Sequence, residues 1–431
     1  MIVLPGDVVQ NNEKLTESQP VSFSLREKEG LYSLLTADGS SPSVPGTILV
    51  SDDISHLRVA DIGQELDQVR VLVKRGAVDG QDAQGMAPCF EVRGYVRSDE
   101  GWSPDEVMVV PLREQLFSRL RGILETDVLA DQRVFIVGQG SGGQPIDVGL
   151  VQSGIMHLDL MDPDRLELGN IMRSVLGLPD LGRYKTIAMA DYLLRNKNPH
   201  LEIRTWEEKA GEDNVDLLRQ RIRESDLVIG ATDNRPSKRI LNKLCVQEHK
   251  VLILAGAFRR AHGGIVQRIR PQESACYQCL LQRFPGQADD QEISSAEQAE
   301  GLAYTDRRVP IEPGLATDIT AISLLVVKIA IQELLRGKST TLKSLDEDLT
   351  APLYLWLNRR EAGTEYEKLE PLGYHIGGGM HVLQWYGAQL PPHPGCEHCG
   401  DFTGELAREH GITVTAEDVK AFAGDEEDMA T

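Results

Sequence analysis

Gly138, Gly140 and Gly143 form a G-x-G-x-x-G sequence directly after the apolar run Val134 to Val137. Glycines at these spacings let a backbone turn tightly and come close to a phosphate, and a following helix offers free N–H groups and the positive end of its dipole to the anion. The turn alone serves NAD enzymes, flavoenzymes and nucleotidyl transferases alike. Asp162, with Asp164 as the alternative, ends the next apolar run 22 residues after Gly140, where an acid can bond ribose hydroxyls. Asn170, Arg173 and Lys185 then follow. A triphosphate carries several charges that must be held while its α-phosphorus is attacked, and a hydrogen-bonding amide, a planar guanidinium and a mobile ammonium suit that task better than they suit a nicotinamide. Asp233, in Gly-Ala-Thr-Asp-Asn just past a strand end, is a natural ligand for Mg²⁺ bridging phosphate oxygens.

Four of the six cysteines form two C-x-x-C pairs, Cys276 with Cys279 and Cys396 with Cys399. Together they can supply four thiolates to one tetrahedral zinc, and such a site has no open position for chemistry. Two separate pairs of reduced thiols are the other reading. Cys245 reads as a core residue and Cys89 as a small buried hydrophobe.

These residues need a scaffold, and the texture of the chain supplies one. From about residue 111 helical and strand patterns alternate: a helix over Leu112 to Leu129, strands at Val134 to Val137 and Ile155 to Leu160, a helix over Tyr184 to Arg195, and strands at Leu201 to Thr205 and Leu227 to Ile229. That order predicts an α/β fold, a Rossmann-like mostly parallel sheet with flanking helices, with ligand at the carboxyl ends of the strands. A polar stretch from Arg283 to Arg308 reads as an exposed loop, followed by an apolar helix over Leu315 to Leu335 closed by Gly337 and candidate strands at Leu353 to Leu357 and Val382 to Trp385. Residues 1–110 are β-rich and broken by turns, with short runs at Val21 to Leu25, Gly46 to Val50, Val71 to Lys74 and Phe90 to Tyr95. His56 is the only histidine there, which excludes a peptidase site built on a His-x-His pair. The expected organisation is a smaller β-rich N-terminal domain over 1–110, for partner recognition or for packing, a nucleotide-binding domain with the four-cysteine site over 111–402, and an acidic tail over 403–431.

The formal charge of −21 over 431 residues argues against nucleic acid or an anionic membrane surface as partner. The sequence shows neither a leader pattern nor an apolar stretch long enough to span a bilayer, so the expected location is cytoplasmic.

From Arg113 to Gly400, about two thirds of its length, the chain resembles the ThiF-type, ubiquitin-activating superfamily of adenylating enzymes. The resemblance rests on Gly138-x-Gly140-x-x-Gly143, Asp162-Pro-Asp164, Asn170-Ile-Met-Arg173, Gly182-Arg-Tyr-Lys185, Thr232-Asp233-Asn234, Asn242 and the two cysteine pairs. It implies a ThiF-type adenylation domain that uses ATP and Mg²⁺ to activate the C-terminal glycine carboxylate of a ubiquitin-like or sulfur-carrier protein, for transfer to a conjugating enzyme or a sulfur donor. Asp162 would hold ribose, Asn170, Arg173 and Lys185 would act on the phosphates, Asp233 would hold Mg²⁺, and the cysteines a structural Zn²⁺. Arg119, with Arg113 or Arg121 as alternatives, resembles the upstream arginine that reaches the partner subunit's ATP, which implies a homodimer. The chain departs from the pattern in three places: Ser174 replaces a glutamine, Lys238 an arginine, and no cysteine lies between Cys279 and Cys396, where thioester-forming members carry their nucleophile. That region offers the hydroxyls of Ser294, Ser295 and Thr305 instead. Adenylation of a peptide or another small carboxylate, or an inactive binding scaffold of the same fold, are the alternatives the resemblance leaves.

Overall fold

The computed structural model describes residues 2–5, 19–26, 31–34, 43–51, 53–74, 91–110, 116–283, 314–369 and 379–400. Cys89, Arg113, Ser294, Ser295, Thr305, all but the first residue of the expected loop, and the 403–431 tail lie outside them. The chain divides into two compact units, Met1–Arg119 and Leu120–Thr431.

In the first unit the β-rich texture becomes one eight-stranded sheet. Its strands are β1 (Ile2–Pro5), β2 (Gln19–Arg26), β3 (Leu31–Ser33), β4 (Ser43–Ser51), β5 (Val69–Lys74), β6 (Val92–Ser98), β7 (Gly101–Asp105) and β8 (Val107–Val110), in the order β7-β6-β5-β4-β2-β3-β1-β8. Ile2, Leu4, Phe23, Ile48, Val69, Val71 and Val73 fill its core. Beside this core, Arg70 is buried against an equally buried Asp67, with Nε 3.2 Å from the carboxylate. Its other nitrogens donate to the carbonyls of Val59, Ala60 and Gln64, and its guanidinium lies 4.3 Å from the centre of the Trp102 ring. Removing one partner of a buried ion pair strands the other charge, so Arg70→Ala is expected to cost about 3–5 kcal/mol. Urea unfolding followed through Trp102 fluorescence reads this loss; an unchanged midpoint would show the pair to be dispensable.

The second unit is α/β. Its strands are β9 (Arg133–Val137), β10 (His157–Met161), β11 (Glu202–Trp206), β12 (Leu227–Gly230), β13 (Leu252–Ala257), β14 (Gly263–Ile269), β15 (Leu353–Leu357) and β16 (Gln384–Ala388), in the order β11-β10-β9-β12-β13-β14-β15-β16. Pairings from β11 to β13 are parallel, and those from β13 to β16 are antiparallel. The chain runs β9, β10, β11 toward one edge and then crosses back to lay β12 on the other side of β9. The carboxyl end of β9 is therefore a topological switch point, the place where such sheets open a crevice for ligand.

One expected helix is interrupted. Of the run Leu112 to Leu129, residues 112–115 lie outside the described residues; Leu116 is helical, Ser118–Leu120 is a 3-10 turn, and a helix resumes at Thr126–Ala130. Gly122, at φ +77°, breaks the run by entering the left-handed region. The long apolar helix does form, over Ala316–Leu335, and Gly337 at φ +75° follows it as expected. Its Ser323 Oγ donates to the Gly142 carbonyl at 2.8 Å, and a Cβ on Gly149 would meet Val327 at 2.8 Å, so the helix supports the glycine turn from below. No described helix is long and apolar enough to cross a membrane.

Candidate nucleotide site and sulfur cluster

The three glycines of the turn do different work. Gly138 sits at φ +102°, and a Cβ there would come within 2.7 Å of the Ala231 backbone. Gly143 opens the helix Gly143–Gln152, and a Cβ on it would lie 1.9 Å from the Gly138 carbonyl oxygen. Gly140 faces open space, with nothing within 4 Å of its Cβ position. Two glycines thus close the turn and the third leaves room beside the helix N-terminus, where an anion is favoured.

Asp162 follows β10 and lies against this turn. One carboxylate oxygen accepts from Gln139 N at 2.6 Å and the other from Asp164 N at 2.8 Å. Lys185, the first residue of the helix Lys185–Asn196, reaches Asp164 at 2.7 Å and Asp162 at 3.9 Å. Burial pushes the Asp162 carboxyl above the usual carboxylate range, and the Lys185 ammonium and the two N–H groups oppose that shift. Asp162 is thus the buried member of the pair beside the turn, and exposed Asp164 serves as the direct counter-ion of Lys185.

On the other flank, Asp233 stands exposed in the turn between β12 and the helix Arg235–Gln247. Asn234 caps that helix by accepting from Ser237 N at 2.8 Å, and Pro236 occupies its first turn, so the motif residue after Asp233 fixes the start of the helix. Because Gly138 packs on Ala231 and Thr232, the Asp233 turn shares its base with the glycine turn.

Asn170 and Arg173 lie on the 3-10 helix Leu168–Arg173. Asn170 Oδ1 accepts from Glu167 N at 3.1 Å, so this amide caps the element that carries Arg173. Arg173 is half-buried at its end. Arg119 is exposed on its 3-10 turn and is the last residue of the first unit. Lys238 is buried on the helix after Asp233, whereas neighbouring Arg239 is exposed.

Three polar residues of the turn and its helix were not singled out by their sequence. Gln139, Gln144 and Asp147 are all buried. Gln139 Nε2 donates to Asp147 at 3.4 Å, and burial pushes the Asp147 carboxyl well above the ordinary range. The available signal was position, since polar residues this close to a tight glycine turn have little access to water.

The two cysteine pairs meet. Sγ separations are 3.9 Å for Cys276 and Cys279, 3.6 Å for Cys276 and Cys396, and 3.4 Å for Cys279 and Cys399, and the four sulfurs lie within 4.8 Å of one another. Four thiolates about 2.3 Å from a tetrahedral zinc would stand roughly 3.8 Å apart, so the set fits Zn²⁺. Charge in the cluster is favoured on Cys279, which accepts from the Cys276 and Cys399 thiols and from His393 N. Cys245, by contrast, is fully buried, and burial pushes its thiol far up, as expected for a core residue.

Asn242 ties the two features together. Its Oδ1 accepts from the backbone of Tyr277, inside the first cysteine pair, and its Nδ2 donates to His398 Nδ1, inside the second, each at 2.8 Å. Burial pushes His398 below the usual histidine range, and since the Asn242 amide nitrogen can only donate, His398 Nδ1 accepts. The helix that starts after Asp233 is therefore pinned along its length to both halves of the sulfur cluster.

Residues 112–354 match the model of the ThiF family. The chain belongs to the ThiF family. This ThiF-family chain is 29% identical over 232 residues to ubiquitin-like modifier-activating enzyme 5 of Branchiostoma floridae, covering 52% of this chain and 54% of that protein. It is 26% identical over 199 residues to the adenylyltransferase and sulfurtransferase UBA4 of Candida albicans, covering 44% and 42%. It spans about half the length of the curated relatives it matches. Among solved structures, MccB of E. coli with ATP aligns over 64% of this chain and 68% of that one, at 19% identity and a TM-score of 0.44.

Proposed function

We propose that this ThiF-family chain binds ATP with Mg²⁺ and adenylates the C-terminal glycine carboxylate of a ubiquitin-like or sulfur-carrier protein. One observation carries the reading: Asp162 with Lys185 on one flank, and the Asp233 turn on the other, bracket the glycine turn at the switch point of the sheet. A dinucleotide oxidoreductase has no need of that bracket. The carrier's carboxylate oxygen attacks the α-phosphorus, the bond to the bridging oxygen breaks, and pyrophosphate leaves with the charge it has gained. Asp162 holds ribose, while the glycine-turn N–H groups and Asn170, Arg173 and Lys185 bind and orient the phosphates. Asp233 would hold Mg²⁺, which would supply positive charge against that developing on the leaving pyrophosphate. Zn²⁺ in the four-cysteine cluster is structural.

Exposed Leu168, Met172 and Leu178, 71%, 87% and 63% accessible around the Arg173 loop, support a homodimer in which Arg119 reaches the partner's nucleotide. With no cysteine between Cys279 and Cys396, the acyl adenylate passes directly to a sulfur donor, a conjugating enzyme or a hydroxyl.

Exchange of labelled pyrophosphate into ATP tests the reading. It is expected to require Mg²⁺ and a carrier ending in a free glycine carboxylate, and to disappear when that carboxylate is amidated. Exchange driven by a short peptide or small carboxylate instead would move the substrate class, and ATP binding with no exchange would make the chain a binding scaffold.

A further inference from the structure

Gln144 is the second residue of the helix Gly143–Gln152, 1% exposed, and its amide is used at both ends. Oε1 accepts from Ser174 Oγ at 2.7 Å, Val175 N at 2.8 Å and Leu176 N at 3.4 Å. Nε2 donates to the Gln139 carbonyl at 2.9 Å. One side chain thus joins the middle of the glycine turn to the segment immediately after Arg173. Ser174 adds to the joint, since its Oγ also accepts from Leu176 N at 3.1 Å. This is the position where the chain departs from its family by carrying serine in place of glutamine.

We propose that Gln144 is a positioning residue that holds the Arg173 loop in register with the glycine turn, so that guanidinium and turn N–H groups engage the triphosphate as one unit. The inference rests on the reading of Arg173 as a phosphate-binding residue. The chemistry of the contacts favours the amide in particular. It must accept at one end and donate at the other, in a place closed to water. A methionine of similar length would leave the Val175 and Leu176 N–H groups and the Gln139 carbonyl without this partner. A glutamate would keep an acceptor for the loop and, when ionised, face the Gln139 carbonyl with a second acceptor. Displacement of a charged group by about 1 Å from its working position can lower a rate roughly 100-fold, so even a small slip of the loop is measurable.

A double-mutant cycle on the full chain tests this, with Mg-ATP affinity by calorimetry and pyrophosphate exchange as readouts. Gln144→Met is expected to lower exchange roughly 10- to 100-fold and to weaken ATP binding by about tenfold. In an Arg173→Ala background the same substitution should change either quantity by less than about twofold, because its effect runs through Arg173. Gln144→Glu should fall between wild type and Gln144→Met, and its own cycle with Arg173→Ala replaces the first one if the methionine variant does not fold. Equal fold-losses with and without Arg173 would overturn the proposal and leave Gln144 a packing residue. ATP binding that follows the expected cycle without any exchange would sink the adenylation reading alone. Failure of the wild-type chain to bind ATP would sink both.

Discussion

Asp233→Ala is expected to cut pyrophosphate exchange roughly 100- to 1,000-fold, the range seen when one group that stabilises developing charge is removed. Asp233 is exposed, on a turn whose geometry is set by Asn234 capping the next helix and by the packing of Gly138 on Ala231. Trimming its side chain leaves both of those contacts in place. The deficit should shrink as Mg²⁺ is raised, because a site that has lost one carboxylate still keeps the substrate's phosphate oxygens as ligands. Arg173→Ala should lower exchange by a similar factor without that dependence on Mg²⁺. Exchange kinetics across a Mg²⁺ series check both; an Asp233→Ala enzyme as active as wild type at limiting Mg²⁺ would remove Asp233 from the metal site.

Stripping zinc should have an equally large effect of another kind. One Zn²⁺ per chain is expected by elemental analysis. Loss of the ion by chelation, or of one ligand in Cys276→Ser, should lower stability by roughly 4 kcal/mol, or about 6 °C in thermal midpoint for a unit of this size. The cysteines belong to the main core, where Cys276, Cys279 and Cys396 pack with Tyr277, Leu280 and Leu390, so loss of the ion that would join them would be felt in that core. Exchange should fall with the metal even though no sulfur touches substrate, because Asn242 anchors the Asp233 helix to Tyr277 and His398. A chain that carries no zinc and shows the same midpoint with and without chelator would exclude this role.

Much of the site could be read along the chain because its demands are local. Gly138 and Gly143 are fixed by contacts within a few residues or with the adjoining strand end, and the C-x-x-C spacing is a property of a single turn. What stayed hidden depends on the fold. Gln144 and Asp147 look like ordinary polar residues of a helix until the Arg173 loop and the long apolar helix close over them. Strand β14 was missed for a related reason: all seven of its residues are buried, yet they include Gly263, Gly264, Gln267 and Arg268, which read as turn and surface. Gly264 is needed because a Cβ would strike Ile322 at 2.3 Å, and Arg268 is buried because Glu333 and Gln332 receive its guanidinium. The segment before β9 is the opposite case, an apolar periodicity interrupted at one left-handed glycine, Gly122.

The sulfur cluster also imposes an order of events on synthesis. Cys276 and Cys396 meet across 120 residues of chain. A growing polypeptide therefore exposes its glycine turn, Asp162 and Asp233 well before the knuckle that carries His398 has been made. Until that knuckle arrives and closes on its distant partner, Asn242 has only one of its two anchors, so the Asp233 helix gains its full set of restraints only when the segment that carries His398 is in place.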